Sequence, residues 1–169
     1  MILNSKILGA DEKKIIILHG FLGSLDNWVT FAKKLSNNGY EVHLIDQRNH
    51  GKSFHSDDFN YELMANDLYK YLYEKNINKT SILGHSMGGK TAMLYSLMYP
   101  DTINKLIVVD ILPVNYNTNY NEIFEALLEI DLKEIKSRND FNIHLNKHFD
   151  DPNFILFLSK NLQRTNDGG

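Results

Sequence analysis

The sequence predicts an α/β fold, in which a mostly parallel sheet carries helices on both faces. Short apolar runs rich in β-branched residues alternate with longer amphipathic segments. The runs are too short for helices and are bounded by turn or charged residues, as is typical of buried strands. Alternation of strands and helices produces βαβ units and therefore parallel strands. The predicted strands are residues 15–18, 42–45, 81–83 and 106–109, with residues 2–8 as a weaker fifth strand.

Three helices are predicted between these strands. Apolar residues recur every three or four positions over residues 25–35, which predicts the first helix. The second is predicted over residues 61–72, with Asn60 as its N-terminal cap. The third covers residues 87–99 and ends at Pro100, because proline cannot continue a helix.

The pattern changes after Asp110. A polar stretch follows, and amphipathic segments then predict three further helices over residues 121–136, 141–149 and 154–162. No further strand pattern follows. We therefore divide the chain into a core of residues 1–114 and a helical segment of residues 115–169.

Composition excludes several classes of protein. The chain has 169 residues, 43% hydrophobic and 23% charged, with a net charge of −3. This balance is typical of a globular domain and offers no basic stripe for nucleic acid. The absence of cysteine excludes disulfides and thiolate metal sites. No apolar run approaches the roughly 20 residues of a membrane span, and residues 1–14 lack a signal-peptide pattern. We therefore expect a cytoplasmic protein with no membrane span and no nucleic-acid partner.

A candidate nucleophile lies between a predicted strand and a predicted helix. Gly84, Ser86 and Gly88 fit the pattern G-x-S-x-G, which forms a nucleophile elbow in that setting. The turn is tight and strained, so the positions two before and two after the serine must be small. Ser86 would then stand above the sheet edge, and the backbone N–H of Met87 would point at an oxyanion formed there.

A second oxyanion donor is predicted in the loop after the first parallel strand. Residues 19–23 read His-Gly-Phe-Leu-Gly. Acyl-transfer enzymes of this architecture take a donor from a loop at the C-terminal end of a strand. Gly20 and Gly23 allow the backbone to bend close to the site, and the N–H of Phe21 is the candidate donor.

The polar loop of residues 46–53 follows the next strand and has a predicted structural role. We expect Asp46 and Arg48 to pair with each other or to bond to loop backbone, and Gly51 to adopt a positive φ. His50 is not predicted to be catalytic, because a general base must be able to face Ser86.

The nucleophile region also supports a different hypothesis. Residues 84–91 spell G-x-x-x-x-G-K-T, the pattern of a phosphate-binding P-loop. The strand ending in Asp110 resembles the one that holds Mg²⁺ in such proteins. Against this nucleotide-binding hypothesis, two strands with their own motifs precede the loop, and those motifs have no role in an NTPase.

Four motifs together resemble the α/β-hydrolase superfamily. Within it they resemble the small bacterial esterases of the YbfF type and their mitochondrial relatives. The resemblance extends over nearly all of the chain from residue 15. The motifs are residues 19–28 (HGFLGSLDNW), 46–53 (DQRNHGKS), 84–90 (GHSMGGK) and 109–114 (VDILPV).

The resemblance implies a Ser-Asp-His triad in that chain order. Ser86 is then the nucleophile and Asp110 the acid, with Phe21 and Met87 forming the oxyanion hole. The family histidine follows the last strand, near the C-terminus of a longer chain. His144 and His148 are the histidines after Asp110, and neither occupies that position. The triad histidine is therefore expected to be missing from this chain, which would leave Ser86 a weak nucleophile.

The implied parent function is hydrolysis of a carboxylic ester or thioester of a small to medium acyl group. The substrate is a small molecule, and no metal or organic cofactor is implied. The family sheet also continues beyond residues 106–109, so this fold would lack the last strands and carry a partial helical cap. The strand of residues 106–109 would then become an exposed apolar edge unless residues 121–162 cover it. We therefore predict either a fragment of a longer protein or a poorly stable chain. The alternatives are the nucleotide-binding protein and a non-catalytic hydrolase remnant.

Overall fold

A computed structural model describes residues 2–116 and 119–162, and it confirms the α/β fold. In the described residues, five strands form one sheet. They are β1 (Ser5–Leu8), β2 (Lys14–Leu18), β3 (Glu41–Ile45), β4 (Thr80–His85) and β5 (Ile103–Val109). Their order is β1-β3-β2-β4-β5, and all neighbours are parallel except β1, which runs antiparallel to β3. The predicted first strand is thus shorter than residues 2–8, and the last begins before residue 106.

The core lies on both faces of the central strand β2. Ile16 and Leu18 pack on one face in a cluster that includes Ile82. Ile15 and Ile17 pack on the other face. Because successive side chains of a strand point to opposite faces, a strand covered on both sides reads as a continuous apolar run. This is why β2 was visible in the sequence.

Three helices cover the sheet at the predicted places. They are α1 (Val29–Ser36), α2 (Tyr61–Glu74) and α3 (Met87–Met98). The first predicted helix begins instead with a 3₁₀ turn over Leu25–Trp28. The predicted cap of α2 is confirmed, because the Leu63 N–H donates to the side chain of Asn60 at 2.8 Å. Among the described residues, no helix has the length and hydropathy needed to cross a bilayer.

The chain divides into two compact units, residues 1–113 and 114–169. The second contains α4 (Asn121–Leu128), α5 (Arg138–Leu145) and α6 (Pro152–Ser159). The helix predicted over residues 121–136 is wrong in its second half. The Lys133 N–H donates to the carboxylate of Asp131 at 3.0 Å, and such local bonds compete with helix formation. Residues 117 and 118 of the predicted polar loop, and residues 163–169, lie outside the described residues.

Helices α5 and α6 both begin earlier than predicted because of their caps. Ser137 accepts the N–H of Asp140, and Asp151 accepts the N–H of Asn153. Pro152 stands in the first turn of α6, where its missing N–H costs nothing. The apolar pattern begins only after these polar residues, so periodicity alone misplaced the two starts.

Strand β5 forms one edge of the sheet. Among the described residues it pairs with β4 alone. Leu106 and Ile107 are 37% and 40% exposed. The edge position predicted for this strand is therefore confirmed.

Candidate active site

Ser86 occupies the sharp turn between β4 and α3. Its φ is 50° and its ψ is −115°, a conformation that L-residues rarely adopt. The turn is held on both sides, because the Ser86 N–H donates to the carbonyl of Val109 at 3.0 Å and the Lys90 N–H donates to the carbonyl of Ser86 at 3.1 Å. Strain of this kind costs about 1–3 kcal/mol and persists only when the surroundings enforce it. Ser86 is half-buried and therefore accessible. Its backbone is strained, and the two hydrogen bonds hold it in place.

The flanking glycines are required by close backbone contacts. A Cβ on Gly84 would lie 2.2 Å from the carbonyl oxygen of Gly88. One on Gly88 would lie 2.6 Å from the carbonyl oxygens of both Leu18 and His19. Since real Cβ atoms do not approach backbone oxygen so closely, no larger residue fits at either position. The small residues predicted on both sides of Ser86 are thus explained by contact with the start of α3 at Gly84 and with the end of β2 at Gly88.

The loop after β2 packs directly against the elbow. A Cβ on Gly20 would lie 3.3 Å from the Cβ of Ser86 and 2.8 Å from Nδ1 of His85. The loop closes on itself through the Gly23 N–H, which donates to the carbonyl of Gly20 at 3.0 Å. Leu22 is held at a φ of 56°. The structure therefore brings the predicted oxyanion loop beside the predicted nucleophile.

His19 joins this loop to the loop after β3. Its Nδ1 lies 2.8 Å from the carbonyl of Gly20, and its Nε2 lies 3.0 Å from the backbone N–H of Gln47. The carbonyl can only accept and the N–H can only donate, so the ring is neutral with its proton on Nδ1. Burial lowers the pKa of His19 to about 4, only partly opposed by the bond to Gly20.

His50 forms a second connection of the same kind. Its Nε2 accepts the N–H of Leu22 at 3.2 Å, and its Nδ1 donates to the carbonyl of Arg48 at 2.9 Å. Its ring also stands edge-on to that of Phe21, with centroids 5.8 Å apart. Because Nε2 accepts an N–H and Nδ1 donates to a carbonyl, this ring too is neutral, and burial lowers the pKa of His50.

The carboxylate of Asp46 holds the same loops together. It accepts the N–H of Leu25 at 2.8 Å, the N–H of Lys52 at 2.9 Å and the side-chain amide of Asn4 at 2.7 Å. Gly51 has a φ of 55°, as predicted, and a Cβ there would lie 2.2 Å from this carboxylate. The expected bonding of Asp46 to loop backbone is confirmed.

Arg48 does not pair with Asp46, which was one of the two expectations. It pairs instead with Asp67 of α2, Nε to Oδ2 at 2.6 Å, and both side chains are buried. It also donates to the carbonyl of Asp58 at 2.7 Å. Because three backbone and amide donors already surround Asp46, Arg48 turns the other way and ties the loop to α2.

Asp110 follows β5, at the same C-terminal end of the parallel strands as Asp46. Its surroundings differ from those of Asp46. It has a φ of 57°, and its side chain is 86% exposed. The His85 ring lies beside it, with Nε2 at 3.7 Å from Oδ2 of Asp110. That separation is longer than a hydrogen bond. The carboxylate is thus open to solvent and available to a further partner.

The P-loop hypothesis is wrong on geometry. A P-loop needs a run of loop residues whose N–H groups surround phosphate. Here Gly84 belongs to β4, while Gly88 and Gly89 belong to α3, so Ser86 alone separates strand from helix. The Thr91 hydroxyl, which would face Mg²⁺, is buried and lies 3.1 Å from the carbonyl of Met87.

Sequence reasoning missed the connecting roles of His19 and His50. The bond of His19 to Gln47 in the next loop was not foreseen. The available signal was position. Both histidines follow adjacent parallel strands, whose carboxyl ends meet at one edge of the sheet.

Comparison with known proteins agrees with this geometry. A family described as the alpha/beta hydrolase fold matches residues 13–165. The chain is 35% identical over 147 residues to a putative esterase/lipase of Haemophilus influenzae, covering 86% of this chain and 51% of that protein. It is 36% identical over 151 residues to the esterase YbfF of Escherichia coli, covering 89% of this chain and 59% of that protein.

A solved structure gives the same result. A marine microorganism esterase is 42% identical to this chain and superimposes with a TM-score of 0.94. The match covers 99% of this chain and 66% of that structure. The chain therefore spans somewhat more than half the length of the two curated relatives, and about two thirds of this structure.

Proposed function

Because the chain belongs to the α/β hydrolase fold family, as its four motifs indicated, we propose that it carries the nucleophile and oxyanion loop of a serine hydrolase. The proposed substrates are carboxylic esters or thioesters of small to medium acyl groups. The conformation of Ser86 is the observation that carries the proposal. A non-glycine residue at φ 50°, with the Gly20 loop packed against it, is the arrangement that an exposed nucleophile requires.

Ser86 is the proposed nucleophile. Its Oγ attacks the acyl carbonyl, the carbonyl oxygen becomes an oxyanion, and the alcohol or thiol leaves as the acyl-enzyme forms. Water then attacks the acyl-enzyme and releases the acid. The proposed oxyanion donors are the N–H groups of Phe21 and Met87. Met87 is the first residue of α3, and N–H groups in the first turn of a helix point outward toward negative charge.

Asp110 is the proposed acid of the triad. Its exposed carboxylate at the end of β5 would accept an N–H from the catalytic imidazole and stabilise that ring when it is protonated. We expect the imidazole to be supplied by the region of the longer relatives that this chain does not span. Ser86 alone then retains slow reactivity, since oxyanion stabilisation persists without the base.

The names of the relatives support the choice of an ester as substrate. The protein from Escherichia coli is named an esterase, and that from Haemophilus influenzae an esterase/lipase. Esters and thioesters share the carbonyl that the proposed oxyanion hole receives, so the same residues serve both. The acyl length is carried over from the resemblance to small esterases.

A fluorophosphonate probe tests the proposal. Ser86 Oγ forms a bond to phosphorus, the P–F bond breaks, fluoride leaves, and a base takes the hydroxyl proton. We expect slow labelling of the 169-residue chain, with the adduct mapped to Ser86 by mass spectrometry. Added 4-methylimidazole should accelerate the reaction because it supplies the missing base.

Two variants control this experiment. Ser86→Ala should abolish the adduct, and Ser36→Ala, at the end of α1, should leave it unchanged. Labelling elsewhere, or none at all on folded protein with 4-methylimidazole present, would overturn the proposal. That second outcome would identify the chain as a hydrolase scaffold without chemistry at Ser86.

A further inference from the structure

Three side chains with metal-binding atoms meet in the unit of residues 114–169. Each of Glu129, His144 and His148 offers one ligand atom, and these atoms all lie within 4.8 Å of one another. The closest contact given joins Nε2 of His148 to Oε2 of Glu129 at 3.3 Å. The two imidazole rings have centroids 5.5 Å apart and are inclined by 31°.

The local backbone explains why the histidines face the same way. His144 lies in the last turn of α5, and helical turns continue past the end of that helix. The N–H groups of His148 and Phe149 both donate to the carbonyl of Leu145 at 3.0 Å. Side chains four residues apart share one face of a helical segment, so His144 and His148 project together.

Glu129 reaches this pair from the end of α4. It is the residue that closes that helix, with its N–H donating to the carbonyl of Glu125 at 3.0 Å. Its side chain is 61% exposed and therefore free to adjust its position. The three groups thus come from the C-terminal ends of two separate helical segments.

An unsatisfied nitrogen distinguishes this cluster from an ordinary ion pair. Nε2 of His144 is buried and has no hydrogen-bond partner among the described residues. A buried polar atom without a partner lowers the stability of the folded chain. The contact between His148 and Glu129 leaves this nitrogen without a partner, whereas a cation bound through it would provide one.

We propose that Glu129, His144 and His148 form a binding site for Zn²⁺ or a similar transition-metal dication. Two imidazoles and one carboxylate are ligands that zinc accepts, while Mg²⁺ and Ca²⁺ prefer sets of oxygen atoms. Metal–ligand bonds of about 2.0–2.1 Å in a tetrahedron place ligand atoms about 3.3 Å apart. The contact between His148 and Glu129 already has this spacing, so closing the site needs a shift of about 1.5 Å or less in the wider pairs.

Three protein ligands leave one coordination position for water or another small ligand. The bound ion would connect the end of α4 to the end of α5. Because binding to the folded chain stabilises it, the temperature of unfolding should rise with the zinc concentration. This inference is independent of the function proposed for Ser86.

Titration of the metal-free chain with Zn²⁺, against a chromophoric chelator as competitor, tests the proposal. We expect one Zn²⁺ per chain and a higher melting temperature, with no change in melting on addition of Mg²⁺. His144→Ala, His148→Ala and Glu129→Gln should each weaken Zn²⁺ binding at least about tenfold, since even groups outside the ligand set contribute that much in known sites.

Two variants serve as matched controls. His55→Ala removes an exposed histidine, and Glu125→Gln removes a carboxylate one turn earlier on α4. Both should keep the affinity of the parent chain. The visible absorption of bound Co²⁺ should indicate four-coordination, and it should disappear in Glu129→Gln. Because the side chain of Glu129 is exposed, this substitution should leave folding intact.

Two results would overturn the proposal. One is Zn²⁺ binding that the control variants weaken as much as the ligand variants do. The other is a melting temperature that Zn²⁺ changes in neither the parent chain nor the Glu129→Gln variant, while Glu129→Gln is less stable than the parent even in the presence of chelator. The second result would reduce the cluster to an ion pair between Glu129 and His148.

Discussion

Asp46 and Asp110 each follow a strand, β3 and β5, at the C-terminal end of the sheet. One of the two carboxylates is buried and the other is exposed. Asp46 is 2% exposed, and its carboxylate accepts three N–H groups from separate parts of the chain. The side chain of Asp110 is 86% exposed, and its Oδ2 lies 3.7 Å from Nε2 of His85. One carboxylate has all its partners in the structure, and the other faces solvent.

The same contrast divides the whole candidate site. The loops after β2 and β3 are joined by buried hydrogen bonds through His19, His50 and Asp46, and the Gly20 turn packs against Ser86. Preorganised donors are effective because they need no rearrangement when charge develops. The loops beside the proposed nucleophile Ser86 are therefore held by buried hydrogen bonds, whereas the proposed acid Asp110 is open to solvent.

The largest expected effect comes from making one substitution at both aspartates. Asp46→Asn replaces one of the two carboxylate oxygens, which together accept three N–H groups, with an NH₂ group, so at least one buried donor then faces another donor. We expect it to lower the free energy of unfolding by about 3–5 kcal/mol. Asp110→Asn should change it by less than about 0.5 kcal/mol, since the group is exposed. Urea unfolding measures both.

Equal losses in the two variants would contradict the comparison. So would an Asp46→Asn chain as stable as the parent. Should Asp46→Asn fail to fold, Asn4→Ala removes one of the three donors and should cost about 1 kcal/mol, which keeps the effect measurable.

The pH dependence of stability tests the loops beside Ser86 through His19. An unfolded histidine has a pKa near 6.5, and burial lowers that of His19 to about 4 in the folded chain. Between these values the unfolded chain binds the proton and the folded chain does not. This contribution is therefore complete above pH 6.5 and is lost as the pH falls to about 4, a change of about 3 kcal/mol.

His19→Gln isolates this contribution, because other titrating groups are common to both chains. The difference in unfolding free energy between parent and variant should shrink by about 3 kcal/mol from pH 7 to pH 4. A difference that stays constant over this range would show that His19 protonates normally in the folded chain. Imidazole NMR signals of His19 provide a direct check.

His50 should matter for reactivity through the position of the oxyanion loop. His50→Ala removes the acceptor of the Leu22 N–H, one residue from the proposed donor Phe21. A lost hydrogen bond of about 1.4 kcal/mol corresponds to roughly tenfold slower fluorophosphonate labelling of Ser86. The rate is measured under conditions where parent and variant are both fully folded.

Rescue distinguishes positioning from general stability. His50→Gln retains an acceptor and should recover most of the labelling rate, while His55→Ala should leave the rate unchanged. If His50→Ala loses stability but labels Ser86 as fast as the parent, His50 has no positioning role.

Much of the fold was predictable because its signals are local. Strand β2 is covered on both faces, so its apolar run was continuous, and Asn60 preceded an apolar helical stripe that it does cap. The glycines around Ser86 were also predictable, because the turn itself excludes side chains. The helix bounds that failed in residues 121–162 were those where a polar side chain decides, as at Asp131.

The long-range contacts of the site were not predictable in the same way. The spacing of His144 and His148 is visible in the sequence, but the approach of Glu129 depends on how α4 packs near α5. Likewise, Asp46 and Asp67 are both acidic residues that Arg48 could pair with. Arg48 pairs with Asp67 because backbone N–H groups already surround the carboxylate of Asp46. Such choices depend on tertiary structure.

The smallest expected effect separates charge from backbone at Asp110. Its φ of 57° lies in the left-handed region, which Asp and Asn tolerate and Ala does not. Asp110→Ala should therefore lower the free energy of unfolding by about 1 kcal/mol, whereas Asp110→Asn should leave it nearly unchanged. Equal losses in both variants would mean that the carboxylate itself stabilises this chain, and that the end of β5 is as firmly held as the loops around Asp46.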